Sequence, residues 1–137
     1  MSFVLDSSVS LTWCFDDERT DATDALLERV VESGADAPAL WPLEVLNALA
    51  MAERRNRIDA ERRQRLAGFL RDLPVAIDDE TASQAWAVTS QLAARFRLTV
   101  YDATYLELAQ RRGLPLATLD QELRAAADAL GVTLLGT

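Results

Sequence analysis

Four acidic side chains, Asp6, Glu44, Asp102 and Asp120, stand where short apolar runs of this sequence give way to helical patterns. Phe3-Val4-Leu5 reads as a buried strand with Asp6 at its C-terminal tip. Leu116-Ala117-Thr118-Leu119 reads as another, with Asp120 emerging at its end. In Trp41-Pro42-Leu43-Glu44 the proline fits the first helical position, which puts Glu44 in the first turn, on the face of Asn47, Ala48 and Met51. Asp102 opens a helix at the Val-Tyr-Asp step and shares one face with Tyr105, Leu106 and Ala109. A carboxylate on so apolar a face needs a partner, because burying an unpaired charge is very costly. Four carboxylates brought together repel unless cations neutralise them, and two divalent ions about 3.5–4 Å apart do this in nucleases and phosphatases.

The residues that are absent narrow the chemistry further. The chain has no histidine, and all 14 of its basic residues are arginines. Ser-His-Asp and Cys-His catalysis and imidazole metal sites are therefore excluded. Schiff-base chemistry and P-loop phosphate binding fail for want of a lysine. The single cysteine, Cys14, allows neither an internal disulfide nor a thiolate-rich metal site, and it reads as small apolar filler in the first helix. Carboxylate sites without histidine or thiolate favour hard cations such as Mg²⁺ or Mn²⁺.

The elements that must position these acids alternate along the chain. After Asp6, a helical stretch carries Trp13 and Phe15, and Asp16-Asp17-Glu18-Arg19 forms a solvated turn. Thr20 or Asp21 starts a helix that ends at Ser33-Gly34. Ala37-Pro38-Ala39-Leu40 is a brief extended segment, with Pro38 pointing to a strand start or an edge strand. Asp59 caps a helix with the stripe Leu66, Phe69, Leu70 and Leu73, and Pro74-Val75-Ala76-Ile77 is a third strand. Asp79 caps a helix with Ala82, Ala85, Trp86, Thr89, Ala93 and Phe96 on one side. Gly113 and Pro115 end the Asp102 helix, and Leu123, Ala127 and Leu130 mark the last helix before the strand Val132-Thr133-Leu134-Leu135.

This alternation predicts an α/β fold, a three-layer α/β/α sandwich with a mostly parallel central sheet, as one domain over residues 1–137. Ligands of such sheets bind beyond the C-terminal strand ends. Asp6, Glu44 and Asp120 converge on that edge from distant parts of the chain, and Asp102 is the fourth candidate. Each acid also has an ordinary structural reading when taken alone. Asp102 and Asp120 suit helix caps, Asp6 a turn, and Glu44 a first-turn acid that complements the helix dipole.

The segments VLDSSVSLTWCF, APALWPLEVLNAL and LTVYDATYLELAQRRGLPLATLDQEL span nearly the whole chain, and their order and spacing resemble those of the PIN-domain family. Within the family they are most similar to the VapC-type ribonuclease toxins of type II toxin–antitoxin pairs. The resemblance implies Mg²⁺- or Mn²⁺-dependent endoribonuclease activity with one or two ions held by Asp6, Glu44, Asp102 and Asp120. It assigns accessory roles to Ser8, two residues after the first acid, and to Thr118 beside the fourth. Asn47 matches an asparagine one turn after the glutamate that orients the helix, and Glu122 matches an extra acid found in some relatives. It also implies homodimerisation and a small VapB-type antitoxin whose tail enters the site.

Net charge is −8, and setting the four site acids aside leaves −4 elsewhere, so any RNA surface must be a local arginine patch. Arg54, Arg55, Arg57, Arg62, Arg63 and Arg65 form the densest basic cluster, although a solvated helix surface explains it equally well. No apolar run is long enough for a membrane span and no basic leader is present, which reads as a cytoplasmic protein without a membrane partner. Two other functional classes fit the same acids: a PIN-like binding module without turnover, and a metal-dependent phosphatase.

Overall fold

The computed structural model describes residues 2–137 and contains five short strands and the helices that connect them. The strands are β1 (Val4–Leu5), β2 (Ala35–Ala37), β3 (Val75–Ile77), β4 (Leu116–Ala117) and β5 (Leu134–Leu135). They form one sheet in the order β3-β2-β1-β4-β5, and every pairing is parallel. The expected mostly parallel sheet is thus wholly parallel within a three-layer α/β/α arrangement. Parallel strands need long crossovers, and here each is helical. They comprise α1 (Ser7–Thr12), α2 (Asp21–Ser33), α3 (Trp41–Arg54), α4 (Ala60–Asp72), α5 (Thr81–Gln84), α6 (Ser90–Phe96), α7 (Val100–Arg112) and α8 (Gln121–Ala129).

The strand order reverses direction between β1 and β4. From β1 the chain builds outward through β2 to β3, then returns to add β4 and β5 on the other side. The crevice at such a reversal is where open parallel sheets bind ligands. Val4 pairs with Leu116 and Leu5 with Ala117, and the Asp6 amide donates to the Ala117 carbonyl at 3.0 Å. The residues just beyond both strands therefore emerge side by side.

Helix α7 lies at the centre of the packing. Its residues from Ala103 through Ala109 are all buried, so the single apolar face read from the sequence is instead burial on every side. The Thr99 hydroxyl accepts from the Asp102 amide at 3.0 Å, which makes Thr99 the cap and moves Asp102 into the first turn. The helix stops at Gly113, whose φ of 63° is left-handed as the αL ending requires.

Three other expectations change in three dimensions. The second strand is Ala35–Ala37 and not the Pro38 segment; Pro38 follows the strand, and β2 is interior, between β1 and β3. An interior strand donates on both sides, and Asp36 donates to Phe3 while Ala35 donates to Pro74, so a proline has no place in it. Gly34 precedes β2 with φ of 81°, and a Cβ there would lie 2.9 Å from the Pro74 carbonyl oxygen. Asp79 does not cap the following helix, whose N-cap position is Glu80. Ala85–Thr89 is then π-helical, which breaks the 3.6-residue period. Trp86 turns outward at 92% exposure while Thr89, Leu92 and Ala93 turn in. Cys14 is buried just beyond α1, and burial pushes its thiol up to about 11.

The C-terminal end of α7 is fixed by ion pairs that the sequence reading did not anticipate. Arg111 bonds Asp78 at 2.6 Å, Glu107 at 2.7 Å and Glu80 at 3.0 Å, while Arg112 reaches Asp78 and Asp36, each at 3.0 Å. The side chains of Asp78 and Glu107 are 1% and 4% exposed, so each depends on these guanidinium groups. Burial alone would raise the Asp78 pKa, but the bonds from Arg111 and the Glu80 amide, with the charges of Arg111 and Arg112, hold it below the ordinary value. Arg111→Ala is expected to cost about 3–5 kcal/mol, the usual loss when a buried charge is left without its partner. Arg71→Ala, at an ion pair exposed on both sides, should cost less than about 0.5 kcal/mol. Urea unfolding of both variants measures the contrast.

Candidate metal centre

All four acids lie at helix N-termini. Asp6 and Asp120 occupy the N-cap positions of α1 and α8, and Glu44 and Asp102 lie in the first turns of α3 and α7. Unpaired amides and the helix dipole make each of these positions favourable for negative charge. The cap reading holds for Asp120, whose Oδ1 accepts from the Leu123 amide at 2.9 Å. Asp6 makes no cap bond of this kind, although the Ser7 and Ser8 amides at the start of α1 favour its charged form.

Asp6 Oδ2 accepts from the Ser8 hydroxyl at 2.6 Å and from the Thr118 hydroxyl at 2.8 Å. Both hydroxyls also accept from the backbone after β4: Ser8 from the Leu119 amide at 3.0 Å, and Thr118 from the Asp120 amide at 3.1 Å. This double link ties the tip of β1 to the start of α8 and fixes Asp6 relative to Asp120. Ser8 and Thr118 thus both stand beside the first acid and bond to it.

Glu44 arrives from another direction. Trp41, in the first turn of α3, donates its indole N–H to Ser10 Oγ at 2.9 Å, and that hydroxyl donates to the Asp6 carbonyl at 3.1 Å. The start of α3 is thereby docked on the start of α1. Glu44 Oε1 then accepts from the Tyr105 phenol at 2.5 Å. The sequence reading placed Tyr105 only on the apolar face of α7 and missed this bond. Its signal was available, because a tyrosine one turn from a buried acid must find an acceptor for its hydroxyl.

The electrostatics link all four groups. Burial, then the negative charges of Asp120, Asp6 and Glu44, push Asp102 up to about 6. Burial raises Asp6 against its hydroxyl bonds, and burial together with the charge of Asp6 raises Glu44 against the Tyr105 bond. Among the described residues no arginine lies within 4.0 Å of any of these carboxylates; every ion pair forms elsewhere. Their partners are neutral hydroxyls and amides. A set of oxygen donors with uncompensated charge and no nitrogen or sulfur ligand fits a hard divalent cation.

A different group, Asp78, Asp79 and Glu80, brings three carboxylates within 4.8 Å of one another. Arg111 and Arg112 already neutralise Asp78 and Glu80, so the tightest acidic cluster is an ion-pair network. The four candidate acids are more widely spread, with no three of them inside that limit.

The other expected residues are less closely drawn in. Asn47 is exposed on α3, and Glu122 is exposed in the first turn of α8, beside Phe96 and Arg97. The arginine cluster divides. Arg57 bonds Asp17 at 2.7 Å and Glu18 at 2.8 Å and lies over the Phe15 ring, and Arg63 pairs with Glu53. Among the described residues, Arg54, Arg55, Arg62 and Arg65 have no acid within ion-pair distance. Arg54 stands ten residues beyond Glu44 on α3, roughly 15 Å along the axis.

Raised carboxyl pKa values mean that the folded protein holds protons more tightly than the unfolded chain. The stability contributed by Asp102 is full below the ordinary value of 3.8 and is lost as pH rises through about 6. Asp78, being lowered, acts in the opposite sense and only at the acidic end. In EDTA the protein should therefore melt several degrees higher near pH 5 than near pH 7.5. Asp102→Asn should remove most of that difference, and Mg²⁺ should raise the melting temperature chiefly at the higher pH.

The comparisons with known proteins agree with this fold. The PIN domain family model matches residues 3–129. The crystal structure of PAE2754 from Pyrobaculum aerophilum superposes with a TM-score of 0.71 at 23% identity, covering 98% of this chain and 83% of that one. VapBC2 from Rickettsia felis, bound to a DNA fragment of its promoter, gives 0.67 at 11% identity over 99% and 98% of the two chains. Mycobacterium tuberculosis VapC20, a sarcin–ricin loop cleaving toxin, gives 0.59 at 17% identity over 91% and 95%. No curated protein matches the sequence significantly. With the family model covering nearly the whole chain, this protein belongs to the PIN domain family.

Proposed function

We propose that this protein is a divalent-metal-dependent endoribonuclease and the toxin of a toxin–antitoxin pair. The observation that carries the reading is the gathering of Asp6, Glu44, Asp102 and Asp120 with neutral donors only, at the reversal of strand order. When bound there, one or two Mg²⁺ or Mn²⁺ ions supply an acidified water and polarise a phosphodiester. The chain's own part is to hold the ligands. Ser8 and Thr118 orient Asp6, the α8 amides orient Asp120, and the first turns of α3 and α7 present Glu44 and Asp102. With neither histidine nor lysine in the chain, the side chains at the site able to take a proton from an attacking water are the carboxylates themselves.

The antitoxin assignment draws on the VapBC2 structure and on a surface of this chain. A groove of about 490 Å³ runs between α3, α4 and the edge strand β3, lined by Trp41, Val45, Leu46, Leu70 and Leu73. Trp41, Pro42 and Val45 of its lining belong to the same first turns of α3 that carry Glu44. We assign this groove to the VapB-type partner. Homodimerisation is carried over from the resemblance as part of the same proposal.

Asp6→Ala and Asp102→Asn are each expected to lower RNA cleavage by at least about a hundredfold while the far-UV spectrum stays unchanged, and EDTA should do the same. Incubation of total RNA with Mn²⁺ is the assay. Wild-type cleavage in either variant sinks the reading, and release of inorganic phosphate from generic phosphoesters replaces it with a phosphatase.

RNA attraction is assigned to Arg54, Arg55 and Arg62, which no acid occupies; Arg57, although part of the same sequence cluster, is held by Asp17 and Glu18. An Arg54/Arg55/Arg62 triple-alanine variant should show a shallower dependence of RNA binding on salt, by roughly 0.7 in log–log slope for each phosphate it no longer neutralises. An unchanged slope moves the RNA path away from the far end of α3.

A further inference from the structure

Tyr105 is a core residue by burial, with no exposed surface, yet its hydroxyl reaches across 61 residues of sequence to Glu44 Oε1 at 2.5 Å. A phenylalanine would fill the same space, so the hydroxyl has a task that packing does not account for. Glu44 needs an anchor of its own. Asp6 is clamped by two hydroxyls and Asp120 by a backbone amide. Glu44 has one more rotatable bond than either, and α3 begins without a side-chain cap. Its one bond to a side chain of α7 is the phenol, with the Ser7 hydroxyl close to both groups.

We infer that Tyr105 is a positioning residue for Glu44: its O–H holds Oε1 and so presets the carboxylate to bind a divalent cation together with Asp6 and Asp102. The inference rests on the metal-site reading above and specifies how that site is held ready. Because Asp102 and Tyr105 are one turn apart on α7, the same helix supplies one ligand and orients another. This resembles the outer hydrogen bonds that orient metal ligands generally, whose removal costs roughly 10–100-fold in affinity.

Calorimetric titration with Mn²⁺ separates the possibilities. Wild type is expected to bind, and Tyr105→Phe to bind with a Kd roughly 10- to 100-fold weaker at unchanged stoichiometry. A Kd within about twofold of wild type overturns the positioning role, since removing such an outer bond costs far more. Absence of Mn²⁺ binding by the wild type overturns the metal-site reading itself, a distinct result. A second measurement serves if Tyr105→Phe does not fold. In a Tyr101→Phe background Tyr105 is the sole tyrosine, and 3-fluorotyrosine incorporation leaves its bond in place. Its ¹⁹F resonance should move on addition of Mg²⁺. A resonance that stays fixed while calorimetry records Mg²⁺ binding overturns the inference, because a purely structural phenol would not register the metal.

Discussion

Repulsion among Asp6, Glu44, Asp102 and Asp120 raises the free energy of the fold, and much of the structure consists of arrangements that tolerate it. Four helix N-termini point at the acids, each offering unpaired amides and the positive end of a dipole. Hydroxyls of Ser8, Thr118 and Tyr105 donate to the carboxylates without contributing charge. None of these devices cancels the negative charge, which together with burial leaves Asp102 near 6. A protein selected only for stability would place arginines here, as this one does at the other end of α7.

That contrast runs along a single helix. At its C-terminal end, Arg111 and Arg112 neutralise Asp78, Glu107 and Asp36 and fasten the helix to the sheet. At its N-terminal end, Asp102 and Tyr105 face acids that have no counter-charge within ion-pair distance among the described residues. The anchored end makes the charged end possible, because a helix buried along its middle and pinned at one terminus cannot swing its first turn away from repulsion. The order of the strands completes the arrangement by bringing β1 and β4 side by side. Asp78, Asp79 and Glu80 are near one another because they are consecutive in the chain, and Arg111 and Arg112 already pair with Asp78 and Glu80.

The sequence made the acids legible because each follows or opens an element whose pattern is strong. Phe3-Val4-Leu5 before Asp6 and Leu116-Ala117 before Asp120 are continuous apolar runs, as fully buried parallel strands should be. Asp59 reads as a cap, and Thr20 as one of two helix starts, for the same reason of local chemistry. The failures share a cause as well. Periodicity placed Trp86 inward, but a π-helical stretch rotates it out to 92% exposure. The sequence makes Pro38 a strand start or part of an edge strand, whereas the strand is Ala35–Ala37, set by hydrogen bonds to Phe3 and Pro74. Arg57 looked available for RNA until the fold brought Asp17 and Glu18 to it.

By itself, then, the sequence determined the alternating α/β architecture, the four acids as candidates, and the exclusion of histidine, lysine and thiolate-cluster chemistry. These follow from residue type and short-range pattern, which need no knowledge of distant neighbours. Only the tertiary structure decided which hydroxyl holds which carboxylate and which arginines are already paired. It alone decided that Tyr105, read as an apolar-face residue, donates to Glu44. Those outcomes depend on hydrogen bonds between residues 31, 61 and 112 positions apart, and a hydrogen bond's direction or a charge's partner is set by the packed geometry.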